Sequence, residues 1–261
     1  MIVRMHEVLR FDATLQTTLH AAGVRTARDL LALGDVEEPR RFVGFVDLPC
    51  DGGVQRFHLK RYRYAGWRES RGLLGRGTLW GQAPELREFE ALATLRAHGV
   101  PAVRPAAACA LHAGGRLVAH ALLTVAVDGA HDLQACLADP THPLRTAASL
   151  RRGFLRRLGA AVGAMHALPF LHRDLRARNI LVRVAAGEPE FWLLDCRRGG
   201  ARGRGGRADD LAALDRDLQG VLSGTDRMRV LRAYLGPHAD GKALVAQVGA
   251  RRALLPPPRP S

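Results

Sequence analysis

The sequence predicts an α+β protein of two lobes, a small β-rich N-lobe over residues 1–126 and a mostly helical C-lobe over 127–261. Three observations predict it. Residues 41–48 and 54–62 are two β-type runs either side of the turn cluster Asp51-Gly52-Gly53, the pattern of a hairpin. From Leu150 to Leu168, Leu150, Phe154, Leu155, Leu158, Val162 and Met165 recur at helical spacing on one face. After that helix, an apolar strand end at Phe170-Leu171 and another apolar run at Ile180-Leu181-Val182 flank a loop carrying His172-Arg173-Asp174 and Asn179.

Taken in order, residues 1 to about 35 read as short helices packed on the outside of the first lobe. Leu15, Leu19 and Ala22 are spaced for a helix, and Thr26 and Asp29 begin another as a capping-box variant. The 41–62 hairpin follows, ending in His58-Leu59-Lys60-Arg61-Tyr62. Ala83 to His98 is amphipathic, with Phe89, Leu92, Ala93 and Leu95 as its apolar stripe and Gly99-Val100-Pro101 as its stop. A strand pair turns at Gly114-Gly115, Asp132 to Leu137 is helical, and residues 140–146 are a proline-containing link. After the loop come the strand 180–184, a turn at Gly187-Glu188-Pro189 and the strand Phe191 to Asp195. Gly199 to Arg207 is a glycine- and arginine-rich segment. Asp209-Asp210 open a helix where carboxylates suit the dipole, Arg227 to Leu235 is the last helix, and Pro256 to Pro260 is a non-helical tail.

Composition narrows the partners. A formal charge of +14 favours an anionic partner. An aromatic content of 5%, without basic–aromatic interleaving, argues against nucleic acid. Arginine richness throughout the chain is the plainer explanation of the charge. The four cysteines, Cys50, Cys109, Cys136 and Cys196, form no C-x-x-C pair. The longest apolar run, Leu117 to Val127, is too short to span a bilayer, and Met1 to Glu7 lacks the apolar core of a secretion signal. These features predict a cytoplasmic protein with free thiols.

The loop carries the chemistry. H-R-D-x-x-x-x-N is the catalytic-loop signature of the protein-kinase fold. In that setting Asp174 accepts the proton of an attacking hydroxyl, and Asn179 holds Mg²⁺ on the phosphates of ATP. Asp195, closing an apolar strand, stands where a second Mg²⁺ ligand belongs, and both side chains are the hard oxygen donors this ion needs. Cys196 is then a small packing residue, and His166 packs near its helix end. Only two lysines, Lys60 and Lys242, occur among 39 basic residues. A surviving lysine marks a place that needs a compact ammonium, so Lys60, on a strand after an apolar residue, is assigned to the ATP phosphates. Glu88 lies one turn before Leu92 on the buried side of its helix and is the expected partner of Lys60. Glu85 and Glu90 are then solvated charges. Adenine is expected at backbone groups near Thr124 to Val127.

Two departures from an ordinary protein kinase are visible. No G-x-G-x-x-G precedes Lys60; the glycines at 75, 77 and 81 follow it with the wrong spacing. Backbone amides of the 41–54 hairpin would have to cover the phosphates instead. No A-P-E follows Asp195, and Ala83-Pro84-Glu85 spells that triplet too early in the chain. Gly236 to Lys242 has the frame of a P-loop but ends in Ala243 with no preceding strand, and reads as a turn.

With these residues in place, the chain resembles the lipopolysaccharide core kinases, the Kdo/heptose kinase family. The similarity runs through His58 to Tyr62, Arg87-Glu88-Phe89 to Pro101, Phe170 to Val182, Phe191 to Gly199 and Asp210 to Leu214. The resemblance implies transfer of the ATP γ-phosphate to a heptose or Kdo hydroxyl of the lipopolysaccharide core. The partners it implies are an anionic glycolipid and the inner face of the cytoplasmic membrane. Two alternatives stay open: a protein or small-molecule kinase of the same fold, and a pseudokinase-like protein that binds a membrane surface.

Overall fold

Alternating apolar residues and two glycine turns build the first half of the molecule. In the computed structural model, residues 5–34, 40–50, 52–64, 83–196, 199–200, 206–236 and 241–255 are described. They fall into two units. One holds Met1–Thr94 and Val103–Val127, the other Leu95–Ala102 and Asp128–Ser261.

The first unit contains, in order, β1 (Met5–Phe11), α1 (Gln16–Ala21), α2 (Ala27–Ala32), β2 (Arg41–Cys50), β3 (Gly53–Arg63), α3 (Pro84–Ala97, whose last turn belongs to the second unit), β4 (Pro105–Ala113) and β5 (Arg116–Val125). The strands form one antiparallel sheet in the order β1-β4-β5-β3-β2. The β2–β3 hairpin forms where turn residues predict it, with Gly52 at φ +94° and Gly53 at φ +140°. Gly114 and Gly115, at φ +57° and +77°, close the β4–β5 hairpin in the left-handed conformation its two-residue turn requires.

The N-terminal segment departs from expectation in two ways. Residues 5–11 are a strand rather than a helix, because all seven pair with residues 107–113 of β4. That pairing satisfies a sheet edge a hundred residues away, which local periodicity cannot reveal. The helices after it are core, not an outer layer. Leu15, Leu19, Val24, Leu30 and Leu31 pack with Phe57, Leu59, Cys109, Ala121 and Leu123 under one face of the sheet. Thr26 and Asp29 form the reciprocal capping box at the start of α2. Arg61, only 2% exposed, closes the other end of α2 by donating to the carbonyls of Leu31 and Leu33, a cation at the negative end of the helix dipole.

The second unit contains β6 (His131–Asp132), α4 (Leu133–Ala138), α5 (Pro143–Thr146), α6 (Ala148–Ala167), β7 (Ile180–Ala185), β8 (Glu188–Leu193), α7 (Arg207–Leu218), α8 (Gly224–Leu235) and α9 (Lys242–Ala253). Its small sheet runs β6-β7-β8. α6 buries the predicted stripe from Phe154 to Met165, although Leu150 is only half-buried. The α6–α8 crossing needs glycine. A methyl at Gly159 would lie 2.3 Å from the Val230 carbonyl oxygen, and one at Gly163 would lie 2.9 Å from that of Tyr234. α8 is not the last helix: α9 follows, and Lys242 begins it rather than closing a phosphate loop. α5 puts a helical turn within the predicted link. The 65–82 glycines, most of 199–207 and the proline tail lie outside the described residues.

Candidate active site

In the first unit, Lys60 sits on β3, where even-numbered residues face away from the Phe57–Leu59–Arg61 side that joins the α1/α2 core. Its ammonium donates to Glu88 Oε1 of α3 at 2.8 Å. Glu88 is 2% exposed, so the ion pair is sheltered on the carboxylate side. His58 shares that face two residues earlier. Burial, and then the Lys60 ammonium, hold its imidazole below the usual range. Phe45, opposite His58 across the ladder, is 62% exposed and meets that imidazole edge-on. β2 is the edge of the sheet, so alternate N–H groups along it point away from the ladder. In the segment expected at adenine, the Val125 and Ala126 amides donate within this unit, to the carbonyls of Arg104 and Arg56.

Glu85 is a correction. It is not solvated but 2% exposed, and its carboxylate meets Nδ1 of His120 on β5. Glu85 and Glu88, three residues apart, lie on the same side of α3, and that side is turned to the sheet rather than to water. Glu90 is exposed.

In the second unit, the loop between α6 and β7 is fixed through its backbone. Asp210, near the start of α7, accepts from the N–H groups of His172 and Arg173 at 2.7 Å each. The same carboxylate meets His166 Nε2 at 3.2 Å. Asp217 accepts from the N–H of Ala177 at 3.1 Å and takes both prongs of the Arg176 guanidinium at 3.1 and 3.0 Å. Residues 210 and 217 are two turns apart on one helix face, about 10 Å along the axis, and grip both ends of the loop. Neither role is apparent from the motif. Asp210 reads locally as a dipole carboxylate, whereas the residue is 3% exposed. A signal is nonetheless present: residues 210, 211, 214, 217 and 218 share one helical face, so two carboxylates lie in a leucine stripe, where charge is buried only with partners.

Within this frame Asn179 ends a short 3₁₀ turn, Ala177–Asn179, and donates from Nδ2 to the Asp174 carbonyl at 2.8 Å. Its Oδ1 remains a hard donor. The Asn179 carbonyl accepts from Leu194 N at 3.1 Å, which brings Asp195 to the same end of the loop. Asp174 is partly exposed, with Arg178 Nη2 3.3 Å from its Oδ2. Arg173 and Asp195 have φ of +62° and +59°. Such left-handed non-glycine residues gather where surrounding contacts hold a functional geometry. His172 is fully buried, which pushes its imidazole pKa down, and Nε2 lies 3.1 Å from the Leu194 carbonyl. A carbonyl only accepts, so this nitrogen carries the proton. Cys196 is fully buried, and Gly199 could not bear a methyl, which would sit 2.4 Å from the Phe170 ring.

Among the described residues no group of three or more His, Cys, Asp or Glu side chains is placed to hold a metal ion. No helix among them is long and apolar enough to cross a membrane.

Comparison with known proteins gives concordant results. Residues 36–234 match the family described as "Lipopolysaccharide kinase (Kdo/WaaP) family". The 3-deoxy-D-manno-octulosonic acid kinase of Actinobacillus succinogenes is 33% identical over 159 residues, which is 55% of this chain and 62% of that protein. Its counterpart in Haemophilus influenzae strain 86-028NP is 31% identical over 160 residues, 55% of this chain and 63% of that protein. The chain therefore spans less than two thirds of the length of the curated relatives it matches. A solved structure, "WaaP in complex with acyl carrier protein", superposes with a TM-score of 0.65 at 19% identity, covering 94% of this chain and 98% of that one. At that identity the likeness speaks for the fold, which is α+β and protein-kinase-like, with a β-rich part and a helical part. With its family match covering the β3 lysine, the α3 glutamate and the clamped loop alike, the chain belongs to the lipopolysaccharide kinase (Kdo/WaaP) family.

Proposed function

We propose that the protein transfers the γ-phosphate of ATP to a sugar hydroxyl of the lipopolysaccharide core. The observation that carries this reading is the loop 172–179, held by two buried carboxylates so that Asp174 stays partly open beside Asn179. In this reading Asp174 orients the acceptor hydroxyl and takes its proton, and Lys60, set by Glu88, holds the ATP phosphates. Such catalysis is mostly positioning and charge neutralisation. Asn179 and Asp195 would hold Mg²⁺, which would neutralise charge on the phosphates. Their oxygen donors suit the ion, and a site with one carboxylate is normal where substrate phosphates complete the shell. The identity of the curated relatives named above supports Kdo as the acceptor, with heptose the other sugar of the family. The charge of +14 supports an anionic glycolipid and work at the cytoplasmic membrane surface.

The test is incubation with Mg²⁺ and γ-labelled ATP in the presence of Kdo–lipid A, a heptose-bearing core or a peptide mixture. Label should enter the glycolipid and be removed with the sugar. Label confined to peptides would move the protein to another branch of the fold.

A further inference from the structure

The first unit holds a second buried acid–base pair, one turn from the first, that the proposed chemistry leaves unused. Glu85 meets Nδ1 of His120, with the two side chains 3% and 4% exposed. The Tyr64 hydroxyl lies 2.9 Å from His120 Nε2. A carboxylate only accepts, so Nδ1 carries the ring proton, and in the neutral imidazole Tyr64 donates to Nε2. The Tyr62 ring stacks on His120 at 5.1 Å and 26°. Tyr62 and Lys60 lie on one face of β3, and their cross-strand partners on β5 are His120 and Leu122. Glu85–His120 and Glu88–Lys60 are thus parallel attachments of α3 to one face of the sheet.

Stability alone does not explain this pair. Burying ionisable groups costs desolvation that their attraction often fails to recover, and apolar side chains of similar volume commonly do as well or better. What the pair supplies is geometry. One attachment lets a helix roll about its axis, and one residue of roll moves a side chain by about 100° around it. A second attachment three residues away removes that freedom. We propose that Glu85 and His120 are positioning residues, which fix α3 so that Glu88 meets Lys60 and thereby set the affinity for nucleotide. This rests on the reading that Lys60 holds the ATP phosphates.

The experiment is calorimetric titration of the full chain with ATP and Mg²⁺, with thermal unfolding followed in parallel. Glu85→Leu and His120→Phe, the second of which keeps a ring against Tyr62, should each raise the ATP Kd by about 10-fold, the size expected for a coupled polar contact. Glu85→Gln should lose less, because its amide oxygen can still accept from Nδ1–H. Acting through Glu88, these changes should not add to Glu88→Gln: the Glu85→Leu/Glu88→Gln double variant should bind ATP within about twofold of Glu88→Gln alone. Unchanged affinity in His120→Phe, or losses that multiply in the double variant, would overturn the proposal. Lys60→Ala separates the two failures. If it loses affinity while Glu85→Leu and His120→Phe do not, only the positioning role falls. If it binds ATP normally, the nucleotide reading falls and takes the positioning role with it.

Discussion

The two units hold their polar machinery by different means. In the first, the central contact is between side chains: one ammonium, one carboxylate, 2.8 Å apart, from a strand and a helix. In the second, the loop is held by its main chain, with three N–H groups donating to Asp210 and Asp217. A side-chain pair can part and re-form as its helix moves. A backbone clamp fixes φ and ψ, and here it holds Arg173 in the left-handed region at φ +62°. The contrast teaches that the loop's geometry is set by its own main chain, whereas the lysine–glutamate pair depends on where α3 sits.

Four outcomes would sharpen or break that contrast. The largest is for the side chain the clamp presents. Asp174→Ala should lower phosphoryl transfer by about 10³-fold with the melting temperature little changed, since positioned proton transfer is worth that order; near-normal turnover would remove Asp174 from the chemistry. Next is the clamp itself. Asp210→Ala leaves two buried N–H groups and His166 without their acceptor, and should cost about 3 kcal/mol in denaturant unfolding as well as activity. A variant that keeps full stability would show the clamp to be dispensable. Third, Lys60→Ala should weaken ATP binding by about 10- to 100-fold, and because it leaves the buried Glu88 carboxylate without its ammonium it should lower stability as well. Unchanged ATP affinity would remove Lys60 from the nucleotide site.

The smallest effect is on pH. Burial holds the His172 imidazole below its ordinary pKa of about 6.5. The unfolded chain therefore binds the extra proton first, and this contribution is fully present above about pH 6.5 and lost as pH falls towards the folded value. Melting temperatures between pH 8 and 5 should show the loss, and His172→Gln should flatten it. An equal slope in that variant would assign the pH dependence elsewhere.

Much of this architecture is legible in the amino-acid sequence. Rarity and a strand setting single out Lys60, and a place one turn before a buried leucine singles out Glu88; the fold pairs them. Glu85 misleads because the buried face of α3 is wider than its apolar stripe, and because His120 lies within an apolar run with no sign of its partner. The strand at Met5–Phe11 escapes local patterning because its signal is the unpaired edge of β4, remote in sequence. Asp210 and Asp217 escape it because a carboxylate near a helix start has a simple local explanation, the dipole, that hides a tertiary one.

By itself the sequence determined the fold class and the order of the groups that the proposed chemistry would use: a lysine, a glutamate, two aspartates and an asparagine. These follow from local rules of period, turn chemistry and motif spacing, which act within a few residues. Only the tertiary structure decided which carboxylates are buried and what they grip. Burial is a property of neighbours brought from far along the chain, and a charged side chain withdrawn from water must take its partners from whatever the fold places there.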